Sequence, residues 1–387
     1  MQKKDQKNLN ENFLEKAGKL IKEFLSYIKH EVIPSISKFL DIIPYRKLRV
    51  LYPIALVMNV LLFIFIVYSI FFNANNLQGE TDKIVEIHKG SGLNEIIEIL
   101  SDEKIIENEY TFKLAARITG KDSKILPRRY LFSSGLTNTE ILDLLTDKDL
   151  VQTIKFRVPE GVTIRKLSTV IEEKLFLSVE KFKQATENRE IIDELGLGSK
   201  TKNLEGFLFP DTYVISINLD EDGLVKVFTD EFKRRVLNDM QISSDLKRRN
   251  ESLLKAVTMA SIIEAETYLK DEMPVISGVY HNRLRKRMRL EADPTVQYVL
   301  PGGPKSRLLY EDLKIESPYN TYRNYGLPPG PINNPGIDAI KAALNPASHN
   351  SVFFVATGDG GHTFSETYEQ HKEAANEYRK KLNEKKK

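Results

Sequence analysis

Residues 251–267 read ESLLKAVTMASIIEAET. Leu253, Leu254, Ala256, Val257, Met259, Ala260, Ile262 and Ile263 leave too few polar positions for a surface helix, which predicts a mostly buried one. The stretch then runs into acid. Glu264 follows Leu253, Val257 and Ala260 at helical spacing, so it continues an apolar stripe where a carboxyl group is desolvated and its pKa rises. Proteins keep a carboxylic acid able to donate a proton near neutral pH in this way. Glu266 lies about 200° further round, at about 100° per residue. Its line holds Ile262 and Met259 but also Lys255, which fits a paired or solvated group. The helix alone leaves two readings open: a catalytic acid, or the polar end of a core helix where it meets solvent.

The whole chain narrows the possibilities. Its 387 residues are enough for two or three domains, and a net charge of +3 is too small to suggest a nucleic-acid partner. With no cysteine there is neither a disulfide nor a thiolate metal site. The six histidines, His30, His88, His281, His349, His362 and His371, lack ligand spacing, so no metal or other cofactor is expected. Residues 51–72, LYPIALVMNVLLFIFIVYSIFF, carry no charge and are long enough at about 1.5 Å per residue to cross a bilayer. Pro53 is expected in the first turn of this span, and Asn59 is its only strongly polar residue. A cleavable leader is the competing reading, but the run is too long and starts too late. Arg46, Lys47 and Arg49 precede it, and no base follows before Lys83. The positive-inside rule therefore puts the N-terminus in the cytoplasm, giving a single-pass type II protein.

Residues 1–50 form a basic cytoplasmic tail in which Phe13, Leu14, Ala17, Leu20, Ile21, Phe24, Leu25 and Ile28 make an amphipathic stripe. After the span comes an internal repeat. KIVEIHKGSGLNEIIEIL at 83–100 superimposes on TIKFRVPEGVTIRKLSTVI at 153–171, pairing Val85 with Phe156, Ile87 with Val158, Gly90 with Gly161 and Ile96 with Leu167. Each copy predicts a short strand, a glycine turn and an amphipathic helix. Residues 81–150 then read as a small α/β module, with helices at 109–119 and 139–145 and a strand at 129–132; this alternation resembles a LysM-like fold. The second copy leads into a larger mixed α/β domain, 151–378. There helices are expected at 164–174, 179–185, 224–239, 251–266 and 274–286, and a strand at 351–357 ends in a glycine turn. The chain closes in a basic tail, 379–387, whose residues 380–387 are expected to fray. The fold class is thus α+β, with one N-terminal transmembrane helix.

Against this background stand polar, loop-rich segments: LEGFLFPDTY at 204–213, MRLEADPTVQY at 288–298 and SPYNTYRNYGLPPGPINNP at 317–335. Loops so rich in Tyr, Asn, Pro and Gly suggest a rigid polar wall, with tyrosine faces for sugar rings and amides for hydroxyls, as a carbohydrate cleft requires. Taken singly, each also fits plain turn chemistry, and so do Asp211 before Tyr213 and His362 beside the glycine turn.

Taken together and in order, SIIEAET, LEGFLFPDTY, DPTVQY, SPYNTYRNYGLPPGPINNPG and GGHTFSETYEQH after one membrane span resemble the membrane-bound endolytic murein transglycosylases, the MltG or YceG-like family. PVISGVYHNRL at 274–284 adds to the likeness, which covers residues 81–378. Two departures stand out: Glu291 and Ala292 replace the family's Gln-Thr, and Ala265 replaces a common Lys. The resemblance implies that Glu264 is the catalytic acid. Glu205, Asp293, Asn320 and Tyr322 are then expected to position the glycan and steady Glu264. It further implies lytic, non-hydrolytic cleavage of the β-1,4 bond between N-acetylmuramic acid and N-acetylglucosamine in nascent peptidoglycan, with 1,6-anhydro ends and with peptidoglycan synthases as neighbours. A glycan hydrolase using Glu266 or Glu291 as its second carboxylate, and a non-catalytic peptidoglycan-binding scaffold, are the alternatives.

Overall fold

The structure, a computed structural model, describes residue 26 and residues 28–40, 48–77, 81–358 and 360–384. The expected stripe from Phe13 to Leu25 and the last three lysines lie outside the described residues. The chain divides into two compact units. One comprises Met1–Lys83, Lys89–Pro127 and Phe132–Asp147; the other comprises Ile84–His88, Arg128–Leu131 and Lys148–Lys387.

The first unit holds a short helix α1 (Ile33–Leu40) and a long apolar helix α2 (Leu48–Phe71). Among the described residues, α2 is the one helix long and apolar enough to cross a membrane. It begins at Leu48, so Pro53 falls in the second turn and not, as expected, the first. Ile54, Val57, Leu61 and Phe65 on α2 are exposed, an arrangement that water penalises and hydrocarbon does not. Asn59 donates to its own helix, Nδ2 to Ala55 O at 2.8 Å, which satisfies one of its two amide donors.

Helices α3 (Leu93–Asp102), α4 (Glu109–Ile118) and α5 (Asn138–Thr146) complete this unit, and α4 and α5 pack on α2. Asn108 caps α4 by accepting from Thr111 N, and Thr137 with Glu140 forms a capping box on α5. Strand β1 (Ala74–Asn75) pairs antiparallel with β4 (Leu136–Thr137). At the end of α2, two carbonyls that the helix leaves open find partners: Asn138 Nδ2 donates to Ile70 O at 2.9 Å and Thr139 Oγ1 to Phe71 O at 3.0 Å.

The two copies of the repeat fold alike. Strand β2 (Asp82–Glu86), Gly90 at φ 94 and α3 form the first copy, and β5 (Thr153–Arg157), Gly161 at φ 72 and α6 (Ile164–Leu175) form the second. Positive φ explains the glycine in both turns. The paired positions Val85 and Phe156, Ile87 and Val158, and Ile96 and Leu167 are all buried. Between the copies lies strand β3 (Arg129–Ser133). Strand β5 pairs antiparallel with β6 (Thr212–Ser216), with Phe156 opposite Tyr213.

The core of the second unit gathers Phe156, Leu167, Phe182, Phe207, Phe228 and Phe232 from β5, α6, α7 (Val179–Ala185), the loop before β6, and α9 (Glu221–Phe232). Phe207 meets Phe232 edge to face at 5.2 Å. Helix α9 starts earlier than expected because Asp220 caps it by accepting from Gly223 N, and it passes into a π-helical turn at Lys233–Leu237. Helices α8 (Arg189–Glu194) and α10 (Met240–Arg249) were not expected.

Helix α11 (Leu253–Glu266) is the centre of this unit. Ser252 caps its start, and every residue from Ala256 to Ile263 is buried, so the helix is enclosed on all sides and not along one stripe. Helices α12 (Met273–Arg285), α13 (Asp293–Val299) and α14 (Ile337–Leu344) pack on it. The expected strand is the first arm of a hairpin, β7 (Phe353–Ala356) against β8 (His362–Ser365). Helix α15 (Tyr368–Glu384) follows and stays helical through residues 380–384, where fraying was expected.

Candidate active site

Burial of α11 ends at Ile263, so the next turn carries its two acids to the edge of the core, both partly buried. Glu264 Oε2 accepts from the Gly336 N–H at 2.9 Å, at the start of α14. Among the described residues, Oε1 has no hydrogen-bond partner. Burial pushes the Glu264 carboxyl up to about 7. The Gly336 N–H opposes this, the charges of Glu160 and Asp338 add to the rise, and Lys270 opposes it. Lys270 is itself ion-paired with Asp338, which blunts its pull. At Gly336 a side chain would displace the exposed end of Glu160, and at Gly161 the φ of 72 favours glycine. A Cβ on Gly336 would lie 2.1 Å from Glu160 Oε1, and one on Gly161 would lie 3.5 Å from Glu264 Cγ.

The loop that brings Gly336 to Glu264 is fixed by its asparagines. Asn334 forms a β-bridge with Val162, donating its backbone N–H to Val162 O at 2.9 Å and accepting from Gly161 N at 2.8 Å. Its side chain is fully used. Nδ2 donates to Val162 O at 2.9 Å and Glu205 Oε1 at 3.2 Å, while Oδ1 accepts from Gly206 N at 2.9 Å and Leu208 N at 3.0 Å. One turn before Glu264, Ser261 Oγ accepts from Ile332 N at 3.0 Å, and Asn333 Nδ2 donates to Ser261 O at 2.8 Å. The loop is thus tied both to the glycine turn of the repeat and to α11.

Glu266 faces other partners. Tyr280 of α12 donates its hydroxyl to Glu266 Oε1 at 2.6 Å, and burial raises this carboxyl to about 7, with the Tyr280 bond opposing. The charge of Asp293 at the start of α13 raises it further, and Arg283 lowers it. Tyr322 donates its hydroxyl to Asp293 Oδ1 at 2.6 Å. Two tyrosine–carboxylate pairs therefore lie within electrostatic reach of one another beside the end of α11.

The expected site residues separate into two kinds. Asp293, which is exposed, and Tyr322 come together and face outward in part. Glu205 is buried: Oε1 accepts from Ile164 N at 2.9 Å and Oε2 from the Tyr298 hydroxyl at 3.3 Å, and burial lifts its carboxyl to about 8. Asn320 is wholly buried, and Nδ2 donates to Leu313 O and Ile315 O, both at 2.9 Å. These two side chains shape loops and do not project from them. Glu291 is ion-paired with Arg283 at 3.1 Å, so its charge is not free. His362 N and Nδ1 bond both carboxylate oxygens of Glu272, at 2.9 and 2.7 Å. Asn334, Ser261, Gly336 and Tyr280 were not singled out from the sequence. The adjacent pair Asn333–Asn334 in a proline-framed loop was the available signal for Asn334.

Comparison with known proteins adds an independent line. A family model described as the YceG-like family matches residues 85–377. A protein of Bacillus subtilis (strain 168) named endolytic murein transglycosylase is 31% identical over 313 residues, covering 78% of this chain and 86% of that protein. One of the same name from Streptococcus pneumoniae (strain ATCC BAA-255 / R6) is 30% identical over 204 residues, 51% of this chain but only 36% of that longer protein. Among solved structures, a YceG-like protein from Listeria monocytogenes is similar at a TM-score of 0.53 and 30% identity, covering 76% of this chain and 99% of that one.

Proposed function

Because the chain belongs to the YceG-like family, we propose that it is an endolytic murein transglycosylase, a lyase acting on peptidoglycan, with Glu264 as its catalytic acid. The observation that carries the residue assignment is the environment of Glu264. Its carboxyl is raised to about 7, anchored through Oε2 to one N–H, and unpartnered at Oε1.

The proton sits on Oε1, since Oε2 is occupied as an acceptor from Gly336. Protonated Glu264 donates it to the glycosidic oxygen as the bond to the muramic C1 breaks. The resulting carboxylate, stabilised by the Gly336 N–H, then takes the proton of the muramic C6 hydroxyl as that oxygen closes on C1. One carboxylate serves both steps, and the product is a 1,6-anhydro end. The nucleophile belongs to the substrate, so no second carboxylate is needed at the spacing of about 5 Å that a retaining hydrolase uses. Asp293 and Tyr322 hold the glycan through polar groups at the outer edge, whereas Glu205 and Asn320 act on it through the loops they brace.

The surrounding organisation follows the same reading. Residues 1–50 are cytoplasmic, 51–72 span the membrane in the type II sense, and 81–150 form a LysM-like module. Residues 151–378 are catalytic, with 379–387 as a basic tail. A catalytic domain held near the membrane meets nascent strands, so cleavage there ends glycan elongation beside the peptidoglycan synthases.

Digestion of isolated peptidoglycan and weighing of the muropeptides tests the reaction. Anhydro ends, lighter than hydrolytic ends by one water, are expected. Reducing ends would instead mean a hydrolase, and no new ends a scaffold. Glu264→Gln is expected to abolish the products with the fold intact, and wild-type activity to fall as pH rises through about 7, where the acid form of Glu264 is lost.

A further inference from the structure

A dense run of surface charge lies at the C-terminus of α12. Arg285, Lys286, Arg287 and Arg289 put four cations into five residues of a chain whose whole net charge is +3. All four are exposed, and among the described residues none has a carboxylate partner. The neighbouring Arg283 behaves differently. It is buried, bonds Val352 O, Arg289 O and Leu290 O, and takes up the charge of Glu291. Of the two acids nearest in sequence, Glu291 is thus already paired with Arg283, and Asp293 accepts from the Tyr322 hydroxyl.

Complementing the negative end of α12 accounts for Arg285 and Lys286. It does not account for the other two. Arg287, at φ 54, closes the helix: its N–H donates to Leu284 O at 3.1 Å and the Met288 N–H to Arg283 O at 2.8 Å, which fixes its backbone while its side chain stays exposed. Arg289 lays its guanidinium over the exposed ring of Tyr325, 4.8 Å from the centroid. The segment is also hooked to the candidate glycan wall: Glu291 N donates to Thr321 O at 3.2 Å and Ala292 N to Thr321 Oγ1 at 3.0 Å, next to the Tyr322–Asp293 pair.

We infer that Arg285, Lys286, Arg287 and Arg289 form a recognition rim for the free carboxylates of the peptides that substitute the glycan, an inference that rests on the lytic reading above. A strand lying along Tyr322 and Asp293 projects the peptides of its muramic residues sideways, and those peptides are anionic. Guanidinium forks match carboxylates in a plane; Arg285 spends one N–H on Asn282 Oδ1 at 2.6 Å, whereas Arg287 and Arg289 are exposed and keep their forks for a ligand. The phosphates of an anionic bilayer offer charge of the same sign. The peptide is favoured because the rim is bonded to the loop that carries Tyr322.

The test reads binding without turnover. Full-length Glu264→Gln protein in detergent is titrated with glycan strands bearing their peptides, with strands stripped of them by an amidase, and with phosphatidylglycerol vesicles. Peptide-bearing strands are expected to bind about tenfold more tightly, an advantage that fades as salt shortens the Debye length from about 10 Å at 0.1 M to about 3 Å at 1 M. Adding Arg287→Glu and Arg289→Glu should bring the two strands to similar affinity, while Arg287→Lys with Arg289→Lys should keep most of the preference. Circular dichroism checks that each variant folds. Equal binding of both strands by the unreversed protein overturns the inference. So does an equal loss for both strands on charge reversal, or a preference for vesicles that depends on these arginines. A protein with native Glu264 that cuts neither strand, yet whose Glu264→Gln form binds with the expected preference, removes the lytic reading and leaves the rim standing.

Discussion

Glu205 and Glu264 are both carboxyls lifted by burial, but only one of them has an oxygen to spare. Every oxygen of Glu205 is engaged, by Ile164 N, Asn334 Nδ2 and the Tyr298 hydroxyl, so its proton has no route to a substrate. Its effect is on stability. The folded pKa of about 8 stands above the ordinary 4.5, so across that window the native state binds a proton that the unfolded chain releases. This contribution is fully present below 4.5 and is lost as pH rises through about 8. In Glu205→Gln the amide oxygen still accepts from Ile164 and Asn334, and no charge is buried at high pH. The variant should melt several degrees above wild type at pH 8 and close to it at pH 4.5, by thermal unfolding followed with circular dichroism. Parallel curves over the window would show that Glu205 is ionised at no cost. Much of the candidate site was legible at this scale. Helical spacing placed Glu264 where desolvation acts and allowed for a partner on Glu266, which is Tyr280, but it did not show that burial raises Glu266 as far as Glu264. The bracing role of Glu205 was not legible, because its partners lie 41, 93 and 129 residues away.

At the scale of elements, the site is one helix end held by one loop, and Asn334 is the fastener. Asn334→Ala removes four side-chain hydrogen bonds and leaves the N–H groups of Gly206 and Leu208 buried without partners. A loss of about 2–4 kcal/mol is expected from denaturant unfolding. A second readout separates positioning from plain stability. With the loop loosened, the Gly336 N–H no longer holds the carboxylate of Glu264, so the alkaline limb of the pH–rate profile should move to higher pH. A variant that is less stable but keeps its kcat and its pH limb would make Asn334 purely structural. Elements with strong apolar periodicity, such as α6, α11 and α12, were readable in the sequence to within a residue or two. Those built by capping were not. Helix α10 is mostly polar and forms because Asp239 caps one end and Asn250, at φ 50, closes the other. Helix α14 follows a loop of prolines and glycine and spans eight residues, too few for its buried face to register as a period.

For the whole molecule, the long apolar helix fits a single-pass membrane protein. Arg46, Lys47 and Arg49 on its N-terminal side predict that a protease added outside spheroplasts removes the catalytic unit and leaves a fragment containing residues 1–72. Protection of the catalytic unit in intact spheroplasts would reverse the orientation. The end of that helix carries a further implication. Asn138 and Thr139 grip the carbonyls of Ile70 and Phe71, and Asn75 Nδ2 in turn reaches Asn138 Oδ1 at 3.1 Å. The last turn of the long apolar helix is therefore bonded directly to the start of α5, with no free linker between these contacts. A tilt of the long apolar helix is thus handed on to α5 through these bonds and is not absorbed by a linker.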